Sequence, residues 1–351
     1  MRIFFIGLFL LAGLGILAGA FYLYPILFAP AVPAHLEKTD FIIARGMSVA
    51  QIADSLERQS FIRAREHFLL AARLTRWQNQ LQAGKYQIVP RASHVDLLKL
   101  FRSGKVTPQR VTLPEGRPAE DYAEILQREL ALDKTAFLSL VEDSAFALQL
   151  GVPAKRLEGY LYPNTYYFLW GVTPAEVITV LVRELQKNLT DSVRAQIAAQ
   201  GLTLHQVMTL AAIVEGEAVI DSERAVIAAV YRNRLQQGIL LQADPTIQYV
   251  VPGPPRRLLH HDLEIDSPYN TYRRSGLPPG PVNNPSIKSV LAVLNPAPVH
   301  YIYFVARGEG SHRFSYTLQQ HLQAKREFDM VREQVRRDQK RKAVETGRKG
   351  H

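Results

Sequence analysis

Residues 203–217 read TLHQVMTLAAIVEGE and form the most informative stretch of the chain. Apolar residues recur there at the i, i+3, i+4 and i+7 spacing that predicts one buried stripe along a helix. The members of the stripe are Val207, Leu210, Ala211 and Val214. Thr203 and Gln206 have the spacing of a capping box, so the helix is predicted to begin directly after Thr203.

Two acids, Glu215 and Glu217, stand near the end of this helix. Residues two apart on a helix diverge by about 200°, so the two side chains are predicted to face different ways. Glu217 lies seven residues after Leu210 and extends the apolar stripe. A carboxyl at the end of a buried stripe loses solvation, which raises its pKa and suits a general acid near neutral pH. The alternative is an ordinary helix residue that pairs with Arg224.

Gly216 between the two acids is a further signal. Glycine inside a helix costs about 1 kcal/mol relative to alanine, so it indicates a close backbone approach or a helix end.

Polar loops dominate the chain after residue 238. Amides and tyrosines on proline-fixed loops can present hydrogen bonds and ring faces to a glycan at low ordering cost. The alternative is that proline and asparagine only shape turns. The loops are residues 242–246, 267–272, 276–280 and 283–286.

Upstream, residues 38–105 carry a β-α-α-β pattern followed by one more helix. Ser48 and Ser93 are predicted to cap two of the helices, and the second helix is predicted over residues 63–74. This small unit is interpreted as an accessory domain, either a sugar-binding module of the LysM kind or a spacer.

The N-terminal end is predicted to lie in a membrane. No charge interrupts residues 3–28, and about 20 apolar residues suffice to cross the bilayer as a helix. Arg2 favours a cytoplasmic location for residues 1–2, followed after the span by a proline-stiffened linker, residues 29–37. The alternative is a cleaved signal peptide, because residues 18–20 read Ala-Gly-Ala. Both interpretations place the remainder outside the cytoplasm.

Composition excludes several classes of site. The 351 residues include no cysteine, which rules out disulfides, thiolate metal sites and a cysteine nucleophile. No P-loop, G-x-S-x-G, H-E-x-x-H or dinucleotide fingerprint is present, and His312 and His321 lack a second ligand at metal-binding spacing.

The net charge of +10 is concentrated at the C-terminal end, where half of it falls after residue 324. Residues 329–351 are predicted to form a basic tail. It either contacts an anionic polymer or membrane, nucleic acid being one candidate, or is a solvated helix end.

Several ordered motifs, at residues 157–166, 210–218, 242–246, 269–272, 276–280 and 303–306, together resemble the YceG-like endolytic murein transglycosylases. The resemblance covers nearly the whole chain. The predicted fold is α+β, with an N-terminal transmembrane helix, the LysM-like domain and a helix-rich catalytic domain with short strands over residues 106–328.

The resemblance implies that Glu217 is the catalytic acid/base. Cleavage of the bond between N-acetylmuramic acid (MurNAc) and N-acetylglucosamine (GlcNAc) would leave 1,6-anhydro ends, with no cofactor and no metal. The implied partners are peptidoglycan strands, the inner membrane and peptidoglycan synthases (penicillin-binding proteins), with no nucleic acid. The implied substrate-binding residues are Glu215, Gln242, Asp244, Thr246, Asn270 and Tyr272.

The sequence departs from the family pattern at two positions. Gly216 stands where the family often has a long polar residue, and Asn164 where it often has aspartate. Two other functions stay open: a muramidase that hydrolyses the same bond, and a non-catalytic anchor that holds synthases on peptidoglycan.

Overall fold

The computed structural model describes residues 2–36, 39–307, 310–330 and 332–333. Most of the predicted basic tail and part of the predicted linker therefore lie outside the described residues. The described residues form many helices and a few short strands, which confirms the α+β class. The helices are α1 Arg2–Phe28, α2 Val49–Arg58, α3 Arg65–Thr75, α4 His94–Ser103, α5 Ala119–Leu130, α6 Lys134–Glu142, α7 Ser144–Gln149, α8 Pro174–Asn188, α9 Asp191–Ala199, α10 Leu204–Glu217, α11 Arg224–Gln236, α12 Asp244–Val250 and α13 Ile287–Leu294. The strands are β1 Asp40–Ile43, β2 Gly84–Gln87, β3 Gln109–Leu113, β4 Asn164–Phe168, β5 Tyr303–Ala306 and β6 His312–Ser315.

Helix α1 runs over the predicted span and continues through Pro25 to Phe28. Among the residues whose side chains are described, no single helix is both long and apolar enough to cross a membrane. Helices α9 (Asp191–Ala199) and α10 (Leu204–Glu217) together meet the length and composition criteria for a membrane span. The two helices are bent by 98° relative to each other.

The chain divides into two compact units. The first comprises residues 1–111 with two short returns, 128–132 and 166–173; the second holds the remainder. Strands β1 and β2 of the first unit pair antiparallel, with Phe41 opposite Tyr86. Strands β3 and β4 form another two-stranded sheet, and β5 and β6 an antiparallel hairpin.

Aromatic side chains fill the core of the first unit. Phe41 contacts Phe61 edge-on at 5.4 Å between ring centroids, and Tyr86 lies 5.0 Å from Phe101. These side chains are almost fully buried, and each contributes roughly 1.5–3 kcal/mol through burial. The Tyr86 hydroxyl donates to the carbonyl of Gln82 at 2.7 Å, so its polar end is satisfied.

The predicted β-α-α-β order of this unit is confirmed, and so are both caps. Ser48 begins α2 and Ser93 begins α4, each through a capping box. Helix α3 begins at Arg65 rather than at residue 63, and no side chain caps it.

Helix α10 lies at the centre of the second unit. It packs against α9, α11, α12 and α13, and α11 also packs on β5. The C-terminal end of α10 therefore meets α11 and the N-terminal end of α12.

Candidate active site

Helix α10 carries both acids of the predicted site. The predicted capping box is present: the N–H of Gln206 donates to Thr203 Oγ1 at 3.2 Å, and that of Thr203 to Gln206 Oε1 at 2.8 Å. Every residue from Val207 to Val214 is buried, not only the predicted stripe. The helix is covered on all sides because four other helices pack on it.

Glu217 is the last residue of α10 and is half-buried. Its Oε1 accepts a hydrogen bond from the Tyr231 hydroxyl at 2.7 Å, and the backbone N–H of Asp244 donates to the same carboxyl group. Burial raises the pKa of Glu217 to about 7, and the Asp244 charge raises it while both hydrogen bonds and the Arg234 charge lower it. The carboxyl is therefore partly protonated near neutral pH, as a general acid must be.

Asp244 and Tyr272 lie next to Glu217. The Tyr272 hydroxyl donates to Asp244 Oδ1. Burial raises the pKa of Tyr272, so this hydroxyl keeps its proton. Gln242, on the same loop, is exposed and has a left-handed backbone with φ 49°. Asp244 and Tyr272, two of the predicted groove residues, thus form a polar pair beside the acid.

Two other predicted groove residues, Thr246 and Asn270, are fully buried. Thr246 Oγ1 donates to the carbonyl of Ala243 at 2.7 Å. Asn270 Nδ2 donates to two backbone carbonyls, and Asn270 Oδ1 accepts from the N–H of Tyr272 at 2.9 Å. These side chains fix the loops that carry Asp244 and Tyr272, and direct sugar binding by either stays a prediction.

Glu215 faces another side of the helix, as predicted. Its Oε1 lies 3.0 Å from Arg224 Nη1, and the two side chains are 5% and 8% exposed. Oε2 accepts from the N–H and the hydroxyl of Ser286 at 2.9 and 2.7 Å. The alternative that paired Arg224 with Glu217 is wrong, because Glu215 takes that place. Both oxygens of Glu215 have internal partners, and its assignment to the substrate groove stays a prediction.

Gly216 permits a close approach of α12 to α10. A Cβ atom at this position would lie 2.7 Å from both Cβ and Cγ of Pro245, which is too close for any real side chain. The predicted close approach and the predicted helix end are both confirmed. Since Pro245 follows Asp244 directly, the missing side chain lets Asp244 reach Glu217.

Sequence reasoning missed two residues of α11. Tyr231 is buried, and burial raises its pKa well above the ordinary value, so its hydroxyl donates to Glu217. Arg234 donates to the carbonyls of Leu241 and Ile302 at 2.7 Å each. Their i, i+3 spacing places both on one helix face, which was the available signal. Only the tertiary structure shows that this face meets Glu217.

The 157–166 motif contains a buried structural clamp. Glu158 is 3% exposed and accepts from the N–H of Ala119 at 3.1 Å and from Asn284 Nδ2 at 3.0 Å. Asn284 Oδ1 accepts in turn from two backbone N–H groups of the motif, at 2.9 and 3.0 Å. Burial raises the pKa of Glu158 to about 7. Asn164, where the sequence departs from the family, is exposed and outside this clamp.

His312 has a carboxylate neighbour that is distant in the sequence, so ligand spacing could not indicate it. Its Nδ1 lies 2.7 Å from Glu223 Oε2. His321 stacks on Tyr303 instead. Within the described ranges, no group of three or more His, Cys, Asp or Glu side chains is placed to hold a metal ion.

Fold and site together define an α+β protein with a high-pKa carboxyl at the end of a buried helix, flanked by a polar loop. The profile of the YceG-like family matches residues 41–327. The chain belongs to the YceG-like family.

Relatives and a solved structure agree with this assignment. The chain is 30% identical over 328 residues to the endolytic murein transglycosylase of Bacillus subtilis (strain 168), over 89% of this chain and 91% of the relative. It is 30% identical over 325 residues to that of Streptococcus pneumoniae serotype 2 (strain D39 / NCTC 7466), over 82% of this chain and 58% of the relative. A crystal structure of a protein described as YceG-like, from Listeria monocytogenes, superposes with a TM-score of 0.59 at 31% identity, covering 81% of this chain and 97% of that one.

Proposed function

We propose that this chain is an endolytic murein transglycosylase that cleaves the MurNAc–GlcNAc bond within peptidoglycan glycan strands. The Glu217 carboxyl supports this most strongly, because burial raises its pKa to about 7 while a tyrosine hydroxyl and a polar loop flank it. The family assignment and the names of its relatives point the same way.

Glu217 performs both proton transfers. Its carboxyl group protonates the glycosidic oxygen as the bond to the MurNAc anomeric carbon breaks, and the GlcNAc portion leaves with a hydroxyl group. The resulting carboxylate takes the proton of the MurNAc 6-hydroxyl, whose oxygen bonds to the anomeric carbon and closes the 1,6-anhydro ring. Glu217 regains its proton, and no water or cofactor is consumed. The Tyr231 hydroxyl stabilises the carboxylate between the two steps.

Asp244 supplies the electrostatic part of the reaction. Glycosidic cleavage develops positive charge at the sugar ring, and a carboxylate fixed beside it stabilises that charge. The Tyr272 hydroxyl orients Asp244. The same negative charge also raises the pKa of Glu217, which helps this carboxyl keep its proton.

A hydrolytic muramidase is the second candidate, and Asp244 is the observation that favours it. Glycoside hydrolases flank the bond with two carboxyl groups, and Asp244 provides a second one near Glu217. A non-catalytic anchor for cell-wall synthases is the third candidate.

Purified chain incubated with uncrosslinked glycan, followed by mass spectrometry of the products, separates the three. We expect 1,6-anhydro ends, and a rate lowered about 10³-fold by Glu217→Gln. Glu124→Gln, at an exposed site on α5, is the matched control and is expected to leave the rate unchanged. Reducing ends would identify a muramidase. Absence of cleavage by the unaltered chain would favour the anchor.

We propose further that α1 anchors the chain in the inner membrane, with residues 1–2 cytoplasmic and the catalytic part periplasmic. Support comes from the absence of charge after Arg2 within the helix and from the exposed rings of Phe21, Tyr22 and Tyr24, which suit a membrane interface. Membranes extracted at alkaline pH should retain the chain. Release of the chain with a new N-terminus after Ala20 would instead support a cleaved signal.

The accessory unit is proposed to bind glycan as a LysM-like module. Peptidoglycan synthases are proposed as further partners of the chain. Its β-α-α-β order supports this. Sedimentation with insoluble peptidoglycan should be weaker for a chain lacking residues 40–105 than for the full chain, both carrying Glu217→Gln. Equal sedimentation would favour a spacer.

A further inference from the structure

The first unit contains an open cavity that plays no part in the proposed reaction. Its volume is about 450 Å³, and the wall on one side is the end of α1 with the segment that follows, residues 25–34. That wall is mostly apolar, built from proline, alanine, valine and isoleucine. The opposite wall carries the polar side chains.

The polar side chains in this wall are basic or can become so. They are Arg63, His67, Arg91 and His94, and no acidic side chain of the described residues lines the cavity. Neither arginine forms an ion pair with a described residue, and both are exposed. Two uncompensated guanidinium groups beside an apolar wall favour an occupant with an anionic group and an apolar part.

His94 belongs to this wall and holds the end of α1 through its ring. The residue is 6% exposed, and its Nε2 is buried without a partner. Nδ1 lies 2.8 Å from the carbonyl oxygen of Ile26. Because a carbonyl only accepts, Nδ1 donates, and the neutral ring then keeps its lone pair on Nε2. Because this Nε2 atom is buried, an anionic occupant would bind the two arginines and not the histidine ring.

The cavity lies at the C-terminal end of the apolar helix. The exposed rings of Tyr22, Tyr24 and Phe28 stand on the last two turns of α1, and Ile26 from the same turns lines the cavity. If α1 spans the bilayer, these aromatic residues lie at headgroup level and the cavity opens beside the lipid phosphates. The two helix-end carbonyls nearby are already satisfied, by Ala29 N–H and by His94, so they do not oppose an anion.

We propose that this cavity binds the headgroup of an anionic phospholipid, such as phosphatidylglycerol. The phosphate lies between Arg63 and Arg91, and the start of the acyl region packs on residues 25–34. The bound lipid fixes the first unit at the membrane surface. This inference rests on the proposed anchor and not on the proposed reaction.

Native mass spectrometry of the full chain, released from detergent micelles with added lipid, tests the proposal. Phosphatidylglycerol should bind about 10-fold more tightly than phosphatidylcholine with the same acyl chains. The double substitution Arg63→Gln with Arg91→Gln should lower phosphatidylglycerol affinity about 10-fold. Arg73→Gln with Arg76→Gln removes the same charge from exposed positions of this unit that do not line the cavity, and should change affinity less than about twofold.

Equal losses in the two double variants would overturn the site, because the effect would then be general charge attraction. Displacement of the lipid by micromolar glycerol 3-phosphate would overturn the lipid source in favour of a free phosphate ester. Equal affinity for phosphatidylglycerol and phosphatidylcholine would overturn the preference for an anionic headgroup.

Glycan cleavage in the same detergent should be equal in all variants, which verifies the fold. Alkaline extraction of membranes tests the anchor separately. A failed lipid site, a failed anchor and a failed enzymatic proposal therefore give different results.

Discussion

The two sides of the C-terminal end of α10 differ in how they satisfy a buried acid. On one side Glu215 faces a full positive charge on Arg224, and Ser286 donates twice to its other oxygen. On the other side Glu217 receives a tyrosine hydroxyl and one backbone N–H. Arg234, the nearby cation, donates instead to backbone carbonyls.

The comparison shows what separates a structural acid from a chemical one in this molecule. A buried carboxyl with a matched counter-charge holds helices together, and breaking the pair is costly. A buried carboxyl with only neutral donors retains its proton to higher pH. Two glutamates, two residues apart on one helix, therefore take opposite roles.

The largest expected effect is on the structural side. Glu215→Gln should lower the free energy of unfolding by about 3–5 kcal/mol, because Arg224 is left as a buried charge without its main partner. Denaturant unfolding measures this. Glu215→Leu combined with Arg224→Met should cost less than the single change, and a single-variant loss below about 1 kcal/mol would contradict the interpretation.

On the side of Glu217, the raised pKa should make the stability of the folded chain depend on pH. The pKa of Glu217 is about 7 in the folded state against 4.5 for the unperturbed group, so ionisation destabilises the folded chain as pH rises through this window. Glu217→Gln removes that penalty. Below pH 4.5 the variant and the unaltered chain should have the same free energy of unfolding. At pH 8 that of the variant should be greater by about 3 kcal/mol. Parallel stability curves, measured by denaturant unfolding at each pH, would show that Glu217 is not perturbed.

Wider spacing of α10 and α12 should weaken both sides together. Gly216→Ala should lower stability by about 2 kcal/mol, because the new Cβ would overlap Pro245. Displacement of Asp244 should also slow glycan cleavage, by about 10-fold. Helix propensity alone predicts the opposite sign for stability. Gly19→Ala, where an added Cβ meets nothing within 4 Å, is the control.

The smallest expected effect is that of Tyr231→Phe on the pKa of Glu217. Its hydrogen bond favours the ionised form of Glu217, so Tyr231→Phe should raise the pKa of this carboxyl by about 1 unit. The descending limb of kcat/KM against pH, expected near pH 7 in the unaltered chain, should move upward correspondingly. An unmoved limb would mean that another group controls the decline.

Local rules predicted the helical framework of the site well. The capping box at Thr203 and the apolar stripe located α10, and the two-residue offset separated Glu215 from Glu217. Gly216 correctly indicated a close approach. These features depend on neighbours within about one or two helical turns, which the sequence displays directly.

Long-range partners were not predictable in the same way. The alternative interpretation pairs Arg224 with Glu217, whereas the structure pairs Arg224 with Glu215, and Asn270 holds a loop from within. Tyr231 reaches Glu217 across 14 residues of sequence, and Ser286 reaches Glu215 across 71. No periodicity in the sequence states which face of α11 meets α10.

The amino-acid sequence by itself determined that a carboxyl would stand at the end of a buried helix, that its neighbour two residues away would face elsewhere, and that polar loops would follow. Helix periodicity and capping act through adjacent residues, so one chain suffices to reveal them. Only the tertiary structure decided which acid meets Arg224 and which meets Tyr231. That choice sets the pKa, because the energy of a buried charge depends on groups that lie within a few ångströms in space and far apart in the chain.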